Sequence, residues 1–285
     1  MSGFLTFEQL QRRMTQKLAA SGSETAALDA RLLLAHLADM SETQLVLNGE
    51  NSIPPELEDA AHEAIAWRAA GKPVAKIIGY KEFWGRRFAV SEAVLDPRPD
   101  SETLIETALA CLPQQQKLQV IDLGTGSACL LLTLLAERPQ ARGLGIDISR
   151  AALHMARRNA HRLGLRARVA LRQGNWLNGI AATPDMIIAN PPYIESAAIN
   201  ALDREVRLYD PRIALDGGAD GLAPYRRLIA PCHARLKSGG HMLLEIGATQ
   251  SAAVGALMAA AGFENIAVQQ DLAGRARVLH GRKKL

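Results

Sequence analysis

Apolar positions in the first seventy residues recur at helical spacing, and polar signals mark where the predicted helices begin and end. Thr6 and Gln9 have the spacing of a capping box, and Leu10, Met14 and Leu18 then recur every four residues. Further helices are predicted from about Ser23 through Leu37, from Ser41 to near Gly49, and from Pro54 to Gly71. Short connections between helices with one apolar stripe each predict a small N-terminal helical bundle over residues 1–73.

The pattern changes at residue 74. The segment VAKIIGYKEFWGRRFAV, residues 74–90, places β-branched and aromatic residues on either side of polar, turn-compatible ones. This pattern predicts a β-hairpin connector over residues 74–95.

Beyond residue 95 the chain alternates between buried strands and amphipathic helices. The predicted strands are LQVIDLG (118–124), ARGLGIDIS (141–149), PDMIIAN (184–190) and GGHMLLEIG (239–247). Nearly continuous apolar strands with helical crossovers predict an α/β domain over residues 96–285, with a Rossmann-like, doubly wound, mostly parallel sheet. Ligands of such sheets bind at the carboxyl ends of the strands, so the functional site is expected there.

Composition and length bound the class of protein. A chain of 285 residues suggests two domains at about 150 residues each, and its apolar fraction of 48% is ordinary for a soluble protein. The first residues lack a basic segment followed by an apolar one, and the longest apolar run, from Ala128 to Ala136, is too short to cross a bilayer. We therefore expect a cytoplasmic protein without membrane association.

Three widely separated cysteines, with no zinc-ligand spacing among Cys and His, predict neither a disulfide framework nor a metal site.

The charge distribution weakens a nucleic-acid interpretation of the basic pI. Residues 1–95 carry ten Lys and Arg against twelve Asp and Glu, a net charge of −2. Residues 96–285 must therefore carry +6 to give the net charge of +4 for the whole chain. Much of that excess lies near the C-terminus, in Arg275, Arg277, Arg282, Lys283 and Lys284. We interpret this tail as a solvated end, and a weak attraction to RNA or a ribonucleoprotein is the alternative.

The ends of the first two predicted strands have the features of a nucleotide-type cofactor site. Glycines in the segment 122–128 allow close approach of a ligand to the backbone, and the next helix offers free N–H groups. The full G-x-G-x-x-G spacing is absent, because Cys129 stands where the third glycine would be. Asp147, about twenty residues further on, can accept hydrogen bonds from two ribose hydroxyls of a nicotinamide or an adenosyl cofactor.

Trp176 could stack on adenine or cover the sheet edge, and Asn175 could bind the adenine amine or form a turn. The candidate cofactor-binding residues are Asp122, Gly124, Thr125, Gly126, Ser127, Ala128, Asp147, Asn175, Trp176 and Asn190.

The third predicted strand ends in Asn190-Pro191-Pro192-Tyr193, which fits methyl transfer to a planar nitrogen. An amide or aromatic amine delocalises its lone pair and is therefore a poor nucleophile. If the Asn190 side-chain oxygen and the Pro191 carbonyl each accept one N–H, the nitrogen is fixed with its face toward the incoming methyl group. The prolines stiffen the loop and present no N–H, and Tyr193 can stack on the planar group. Hydride transfer has no comparable use for these four candidate catalytic residues, so the adenosyl cofactor is favoured.

With these three strand ends the sequence resembles the class I S-adenosylmethionine-dependent methyltransferases. It is more closely similar to the release factor glutamine methyltransferase family (PrmC/HemK), over nearly the whole chain. The specific elements are IIGYKEFWGRRFAV (77–90), VLDPRPDSETLIE (94–106), EVRLYDPRIALDGGADGL (205–222) and the helical N-terminal part. DNA and rRNA enzymes that share the tetrapeptide do not usually carry these elements.

The resemblance implies the reaction, the cofactor and the partner. The implied substrate is the glutamine side-chain amide in the Gly-Gly-Gln loop of class 1 peptide release factors, methylated at N5 from S-adenosylmethionine with S-adenosylhomocysteine as product. The N-terminal bundle would help to recognise the release factor, and no sequence-specific nucleic acid binding is expected. Substrate-binding residues would be Phe83, Arg98, Glu102, Asn190, Pro191, Pro192 and Tyr193. The chain departs from the family pattern at Ala128, where a third glycine is common, at Asn175, where an acid is common, and at Asp100-Ser101, which replace Glu-Thr.

Three alternatives remain open from the residues themselves. An N6-adenine or N2-guanine nucleic-acid methyltransferase would also use Asn-Pro-Pro-Tyr, but it needs a basic recognition surface, and the slightly acidic N-terminal part disfavours it. A non-catalytic module that binds termination factors is disfavoured by the intact Asn190 and Asp147. A nicotinamide-dependent reductase is disfavoured by the missing third glycine.

Overall fold

The computed structural model describes residues 5–285, which divide into two compact units. The first, called the helical unit here, runs to Gly79 and also includes Asp203–Tyr209; the second, the sheet unit, comprises Tyr80–Leu202 and Asp210–Leu285. The expectation that the chain starts without a leader rests partly on residues 1–4, which lie outside the described residues. Within residues 5–285, no helix combines the length and the apolar character that a membrane span requires.

The secondary structure follows the alternation expected from the sequence. The α-helices of residues 5–285 are α1 (Phe7–Ala20), α2 (Ala26–Leu37), α3 (Glu42–Leu47), α4 (Pro55–Ala69), α5 (Val74–Ile78), α6 (Glu102–Cys111), α7 (Cys129–Glu137), α8 (Arg150–Arg162), α9 (Arg204–Tyr209), α10 (Ala223–Arg235) and α11 (Ser251–Ala260). The strands are β1 (Tyr80–Phe83), β2 (Arg86–Ala89), β3 (Gln119–Leu123), β4 (Arg142–Asp147), β5 (Val169–Gln173), β6 (Met186–Ala189), β7 (His241–Glu245), β8 (Phe263–Gln270) and β9 (Ala276–Lys283).

Local sequence signals account for most of the helical unit. The capping box at the start of α1 is formed in both directions, with Gln9 N donating to Thr6 Oγ1 over 3.3 Å and Thr6 N donating to Gln9 Oε1 over 3.2 Å. The four-residue stripe of α1, Leu10, Met14 and Leu18, is buried in the core of this unit. The predicted helical bundle is therefore present.

The hairpin begins later than the sequence pattern indicated. Residues 74–78 form the short helix α5, which starts after Pro73 and ends at Gly79, where φ is 81°. Proline is compatible with a helix start and glycine with a left-handed helix end, so these two residues delimit a helix inside an apolar run. The hairpin is limited to β1 and β2, which pair from Tyr80↔Ala89 to Phe83↔Arg86.

A distant segment of the chain completes the helical unit. Helix α9 packs there through Arg68, whose Nε lies 2.7 Å from Asp29 Oδ2 and whose Nη2 lies 2.6 Å from Glu205 Oε1. Arg68 and Asp29 are almost fully buried, so each charge requires the other. The 1–73 boundary predicted from local periodicity differs from the structure at this point, since periodicity carries no information on such a long-range pair.

The sheet unit contains the predicted doubly wound sheet. Among residues 5–285 its strand order is β5-β4-β3-β6-β7-β9-β8, with β5, β4, β3, β6 and β7 parallel and with β9 and β8 antiparallel additions. This architecture confirms the predicted Rossmann-like fold. Three strands outside the four named from the sequence, β5, β8 and β9, lie toward the sheet edges. Strands β5 and β8 are largely exposed and therefore lack the continuous apolar run that marks a central strand.

The register of the sheet brings the predicted strand ends together. Leu123, the last residue of β3, is opposite Ile146 of β4 on one side and Ala189 of β6 on the other. Ala189 is in turn opposite Leu244 of β7. The residues that follow these positions therefore meet at one edge of the sheet.

Candidate active site

A cavity of about 450 Å³ lies at the carboxyl ends of β3, β4 and β6, within the sheet unit. Its size is in the usual range for small-molecule sites. The predicted site residues that line it are Arg98, Gly124, Thr125, Gly126, Ser127, Asp147, Asn175, Trp176, Asn190 and Pro192. The remaining predicted residues, Phe83, Glu102, Asp122, Ala128, Pro191 and Tyr193, are not part of this wall.

The turn after β3 is held open by left-handed backbone. Gly124 and Gly126 have φ of 71° and 56°, and the N–H groups of Gly124 and Thr125 both donate to Ile146 O, over 2.8 and 3.0 Å. Ala128, just before α7, also has a positive φ of 61°. That conformation is unfavourable for a residue with a Cβ, which explains why glycine suits this position in the family pattern.

Asp147 ties the ends of β4 and β3 together. Its Oδ2 accepts from the Gly126 N–H over 2.9 Å, and its Oδ1 accepts from the Ser149 N–H over 2.8 Å. A carboxylate has about four acceptor positions, so two remain for hydroxyl donors of a ligand. The acid is thus fixed by backbone bonds and lines the cavity.

Asp122 lies beneath the turn and has a different environment. Thr125 Oγ1 donates to Asp122 Oδ2 over 2.5 Å, while Oδ1 is buried and has no partner among residues 5–285. Burial raises the pKa of Asp122 to about 7; the Thr125 hydrogen bond lowers it, and the nearby charge of Asp147 raises it further. Direct cofactor contact by Asp122 stays a prediction.

Asn190 is positioned by polar groups on two neighbouring elements. Its Nδ2 lies 3.5 Å from Ser101 Oγ, which donates to Glu245 Oε2 over 2.5 Å. The nearby Asn190 amide also lowers the pKa of the Glu245 carboxyl. Because Ser101 donates its single hydroxyl proton to Glu245, Ser101 Oγ can only accept from Asn190, so the amide turns its NH₂ group toward Ser101 and keeps Oδ1 as an acceptor.

Tyr193 is anchored behind the cavity wall. Arg277 Nη1 donates to its hydroxyl oxygen over 3.4 Å, and Gln250 Nε2 donates to its backbone carbonyl over 2.9 Å. Its ring packs against the core beneath β6 and β7. Burial, followed by the charge of Glu245, raises the pKa of Tyr193 to about 12, so the hydroxyl is neutral at physiological pH.

The segment after α9 supports the tetrapeptide through its backbone. Ile194 N donates to Leu215 O over 3.0 Å, and Gly217 N donates to Ile194 O over 2.7 Å. A Cβ at Gly217 would lie 2.9 Å from the Pro192 carbonyl, and one at Gly221 would overlap the Tyr193 carbonyl. These glycines are therefore required for close backbone approach, which gives a physical reason for the motif at 205–222.

The remaining predicted substrate residues occupy separate positions. Arg98 lines the cavity and pairs with Asp210, at 2.8 Å between Nη2 and Oδ2. Glu102 Oε1 accepts from the Trp84 N–H over 2.9 Å, and Phe83 is buried against Phe88. Substrate contacts by Phe83 and Glu102 stay predictions.

Three polar residues of the site were missed as candidates: Ser101, Glu245 and Arg277. Glu245 carried a usable signal, since it is an acid that directly follows the buried apolar run 242–244 at the carboxyl end of a strand. Ser101 lay within a recognised element without an assigned role. Arg277 had been grouped with the solvated tail, but its side chain is buried, with Nη2 3.0 Å from Asp100 Oδ2 and 3.4 Å from Asp271 Oδ2.

A second polar cluster lies away from this cavity. Cys111 Sγ is 3.7 Å from His280 Nε2, which is 2.8 Å from His241 Nδ1. Two histidine nitrogens on one tetrahedral zinc ion would be about 3.3 Å apart, so 2.8 Å is instead a hydrogen-bond distance. Burial, with contributions from His241 and Arg282, lowers the pKa of His280 to about 4. The geometry is that of hydrogen-bonded neutral rings, and the spacing of these residues along the chain gives no hint of their meeting.

The family models match both parts of the chain. The PrmC N-terminal domain matches residues 9–79, and the methyltransferase small domain matches residues 98–206. A solved methyltransferase from Pyrococcus furiosus superposes with a TM-score of 0.52 at 16% identity, covering 77% of this chain and 98% of that one. This superposition shows the shared fold, the Rossmann-like α/β fold of the class I methyltransferases.

Curated relatives identify the family to which the chain belongs within this class. A release factor glutamine methyltransferase of Cereibacter sphaeroides is 45% identical over 271 residues, which cover 95% of this chain and 96% of the relative. One of Rhodospirillum rubrum is 42% identical over 280 residues, covering 98% of this chain and 86% of the relative. The chain belongs to the release factor glutamine methyltransferase family, as the sequence motifs indicated.

Proposed function

We propose that this protein transfers a methyl group from S-adenosylmethionine to the side-chain amide nitrogen of the glutamine in the Gly-Gly-Gln motif of class 1 peptide release factors. Family membership supports the reaction and the substrate class. The structural observation that carries the proposal is the oriented amide of Asn190 in the cavity wall, with its NH₂ group bonded to Ser101, which in turn donates to Glu245.

The residues of the cavity fit an adenosyl cofactor. The left-handed glycines 124 and 126 leave the turn without side chains, and Asp147 keeps two acceptor positions for ribose hydroxyls. Trp176 and the apolar residues Leu130, Ile146 and Ala152 offer a surface for a flat ring. The bound cofactor supplies a methyl group activated by its attachment to a positively charged sulfur.

Asn190 and the following proline act on the substrate nitrogen. The Asn190 Oδ1 and the Pro191 carbonyl each accept one N–H of the glutamine amide, which orients the lone-pair face and stabilises the positive charge that develops on nitrogen. In the transfer the N–C bond would form as the S–C bond of the cofactor breaks, and the proton lost from nitrogen would pass to solvent water. No strongly basic side chain is needed, because that proton becomes acidic only as the bond forms.

The helical unit is proposed to recognise the release factor. Its support is the match of residues 9–79 to the PrmC N-terminal domain and the full-length similarity to release factor methyltransferases. The slight acidity of residues 1–95 disfavours a nucleic acid as the partner of this part of the chain.

The test is methyl transfer from labelled S-adenosylmethionine to purified class 1 release factor. We expect incorporation into the wild-type factor and none into a factor whose motif glutamine is replaced by alanine. DNA and rRNA, tested in parallel, are expected to remain unlabelled. Labelling of nucleic acid without labelling of the factor would overturn the proposal in favour of an amino methyltransferase acting on bases.

A further inference from the structure

The buried acid Glu245 lies next to Asn190, whose side-chain amide is proposed to bind the substrate. β6 and β7 are adjacent and parallel, and Ala189 pairs with Leu244, so Asn190 and Glu245 follow at the same level of the sheet. Ser101 ends a short 3₁₀ turn, Pro99–Ser101, just before α6. Three separate elements therefore bring their polar side chains to one point.

The hydrogen bonds at this point have one consistent direction. Asn190 Nδ2 donates to Ser101 Oγ, at 3.5 Å, and Ser101 Oγ donates to Glu245 Oε2, at 2.5 Å. Ser101 Oγ thus accepts from the Asn190 NH₂ group and passes the arrangement on to Glu245, whose pKa the nearby Asn190 amide lowers. None of the hydrogen bonds among residues 5–285 uses Asn190 Oδ1.

The fold itself has no need of a carboxylate here. Glu245 is 2% exposed, and burying a carboxylate is costly even when it is hydrogen-bonded. The three residues of β7 before Glu245, Met242–Leu244, are apolar and buried, and the Tyr225 hydroxyl donates to the backbone carbonyl of Glu245 rather than to its side chain. An apolar side chain of similar size would fill the same space, so the acid serves something other than packing.

We propose that Glu245 is a positioning residue for methyl transfer, which together with Ser101 holds the Asn190 amide so that Oδ1, and not the NH₂ group, meets the substrate nitrogen. This inference rests on the proposed function. The terminal torsion of asparagine has a broad, roughly two-fold preference, so an unheld amide adopts both orientations. In the reversed orientation its NH₂ group faces the NH₂ group of the substrate, and the acceptor is lost.

The ionisation of Glu245 makes the arrangement sensitive to pH. Burial raises its pKa to about 7, while the hydrogen bond from Ser101 and the charge of Arg277 lower it. Protonation gives the acid an O–H donor, which competes with the Asn190 NH₂ group for acceptors. The titratable groups that interact with Glu245 across its neighbouring elements are Asp100, Cys129, Tyr193, Tyr225 and Arg277.

Glu245→Leu separates a positioning role from a structural one. We expect kcat to fall about 10- to 100-fold, the loss of a charge-assisted hydrogen bond, with KM for both substrates changed less than about threefold. The melting temperature should be unchanged or higher, because an apolar replacement of a buried charge is often neutral or stabilising. Glu245→Gln keeps an acceptor without a charge, so it should restore part of kcat and lose the rise in kcat through pH 7 that we expect of the wild type.

Exposed Glu264 on β8 provides the control, and Glu264→Gln should match the wild type in kcat and pH profile. Wild-type kcat in Glu245→Leu, or a fall in kcat that only follows a lower melting temperature, would overturn the proposed role.

A measurement without turnover keeps this inference distinct from the proposed function. The side-chain NH₂ resonance of Asn190, assigned by its loss in Asn190→Ala, should shift with an apparent pKa of about 7 in the wild-type protein. In Glu245→Leu the resonance should no longer titrate. If the wild-type resonance does not shift with pH, the proposed coupling of Asn190 to Glu245 is refuted. If the resonance titrates but the protein methylates no release factor, only the proposed function is refuted.

Discussion

Replacing Asn190 by alanine removes one acceptor from the proposed transition state and leaves the strand intact. The side chain is half-buried at the end of β6 and provides the oriented Oδ1 in the cavity wall. Removal of one such positioned contact costs about 10²- to 10³-fold in kcat, or roughly 3–4 kcal/mol. The Asn190→Ala variant is therefore expected to lose at least about 100-fold in methyl transfer to the release factor.

The same substitution has a smaller effect on stability. Ser101 Oγ loses the hydrogen bond that it accepts from Asn190 Nδ2, but it still donates to Glu245 Oε2 over 2.5 Å. The free energy of unfolding should fall by about 1–2 kcal/mol, the usual effect of one lost hydrogen bond. Circular dichroism of the folded variant should match the wild type.

Single-turnover transfer of a labelled methyl group, at saturating cofactor, measures the chemical step alone. Asn200→Ala is the matched control, since Asn200 is an exposed asparagine in the same loop region. A rate within about threefold of wild type in Asn190→Ala would refute the assigned role, because the estimate from a positioned contact is at least 30 times larger.

Three further predictions follow from the geometry of the site. Asp147→Ala should weaken binding of S-adenosylmethionine at least about tenfold by calorimetry, because the ribose loses its carboxylate; unchanged affinity would contradict this contact. Gly221→Ala should lower the free energy of unfolding by about 2–3 kcal/mol and reduce kcat, because its Cβ would overlap the Tyr193 carbonyl. Gly164→Ala, with a similar φ of 69° and open space around the Cβ, should show only the backbone strain of about 1 kcal/mol, and equal effects of the two would refute the clash. Burial raises the pKa of Asp122 to about 7, so its contribution to stability is present below the usual carboxyl pKa and is lost as pH rises through 7. Asp122→Asn should therefore flatten the decrease in unfolding free energy between about pH 4 and 7, and an unchanged slope would contradict the shift.

The local features of this protein could be predicted from its residues because their causes lie within a few positions. The capping box of Thr6 and Gln9 formed as expected, and so did the central parallel strands that end at Asp147 and just before Asn190. A strand that is buried on both faces has a continuous run of apolar residues, which can be recognised in the sequence. The strand-end rule then placed the cavity before any side-chain geometry was known.

Features that depend on residues far apart in the chain needed the tertiary structure. Helix α5 was mistaken for part of the hairpin, because a five-residue apolar run is compatible with either structure until Pro73 and Gly79 are seen to cap it. Helix α9 joins the helical unit through Arg68 and Asp29, a pairing that no local period records.

The candidate site divides in the same way. The residues proposed to carry the chemistry, such as Asn190 and Asp147, lie at the carboxyl ends of predicted strands and were identified from the sequence. The groups that orient them were not, because Ser101 and Glu245 are 144 positions apart and meet only when α6 packs beside β7. Periodicity reports which side chains are buried, but which buried polar groups become partners is decided by packing between elements.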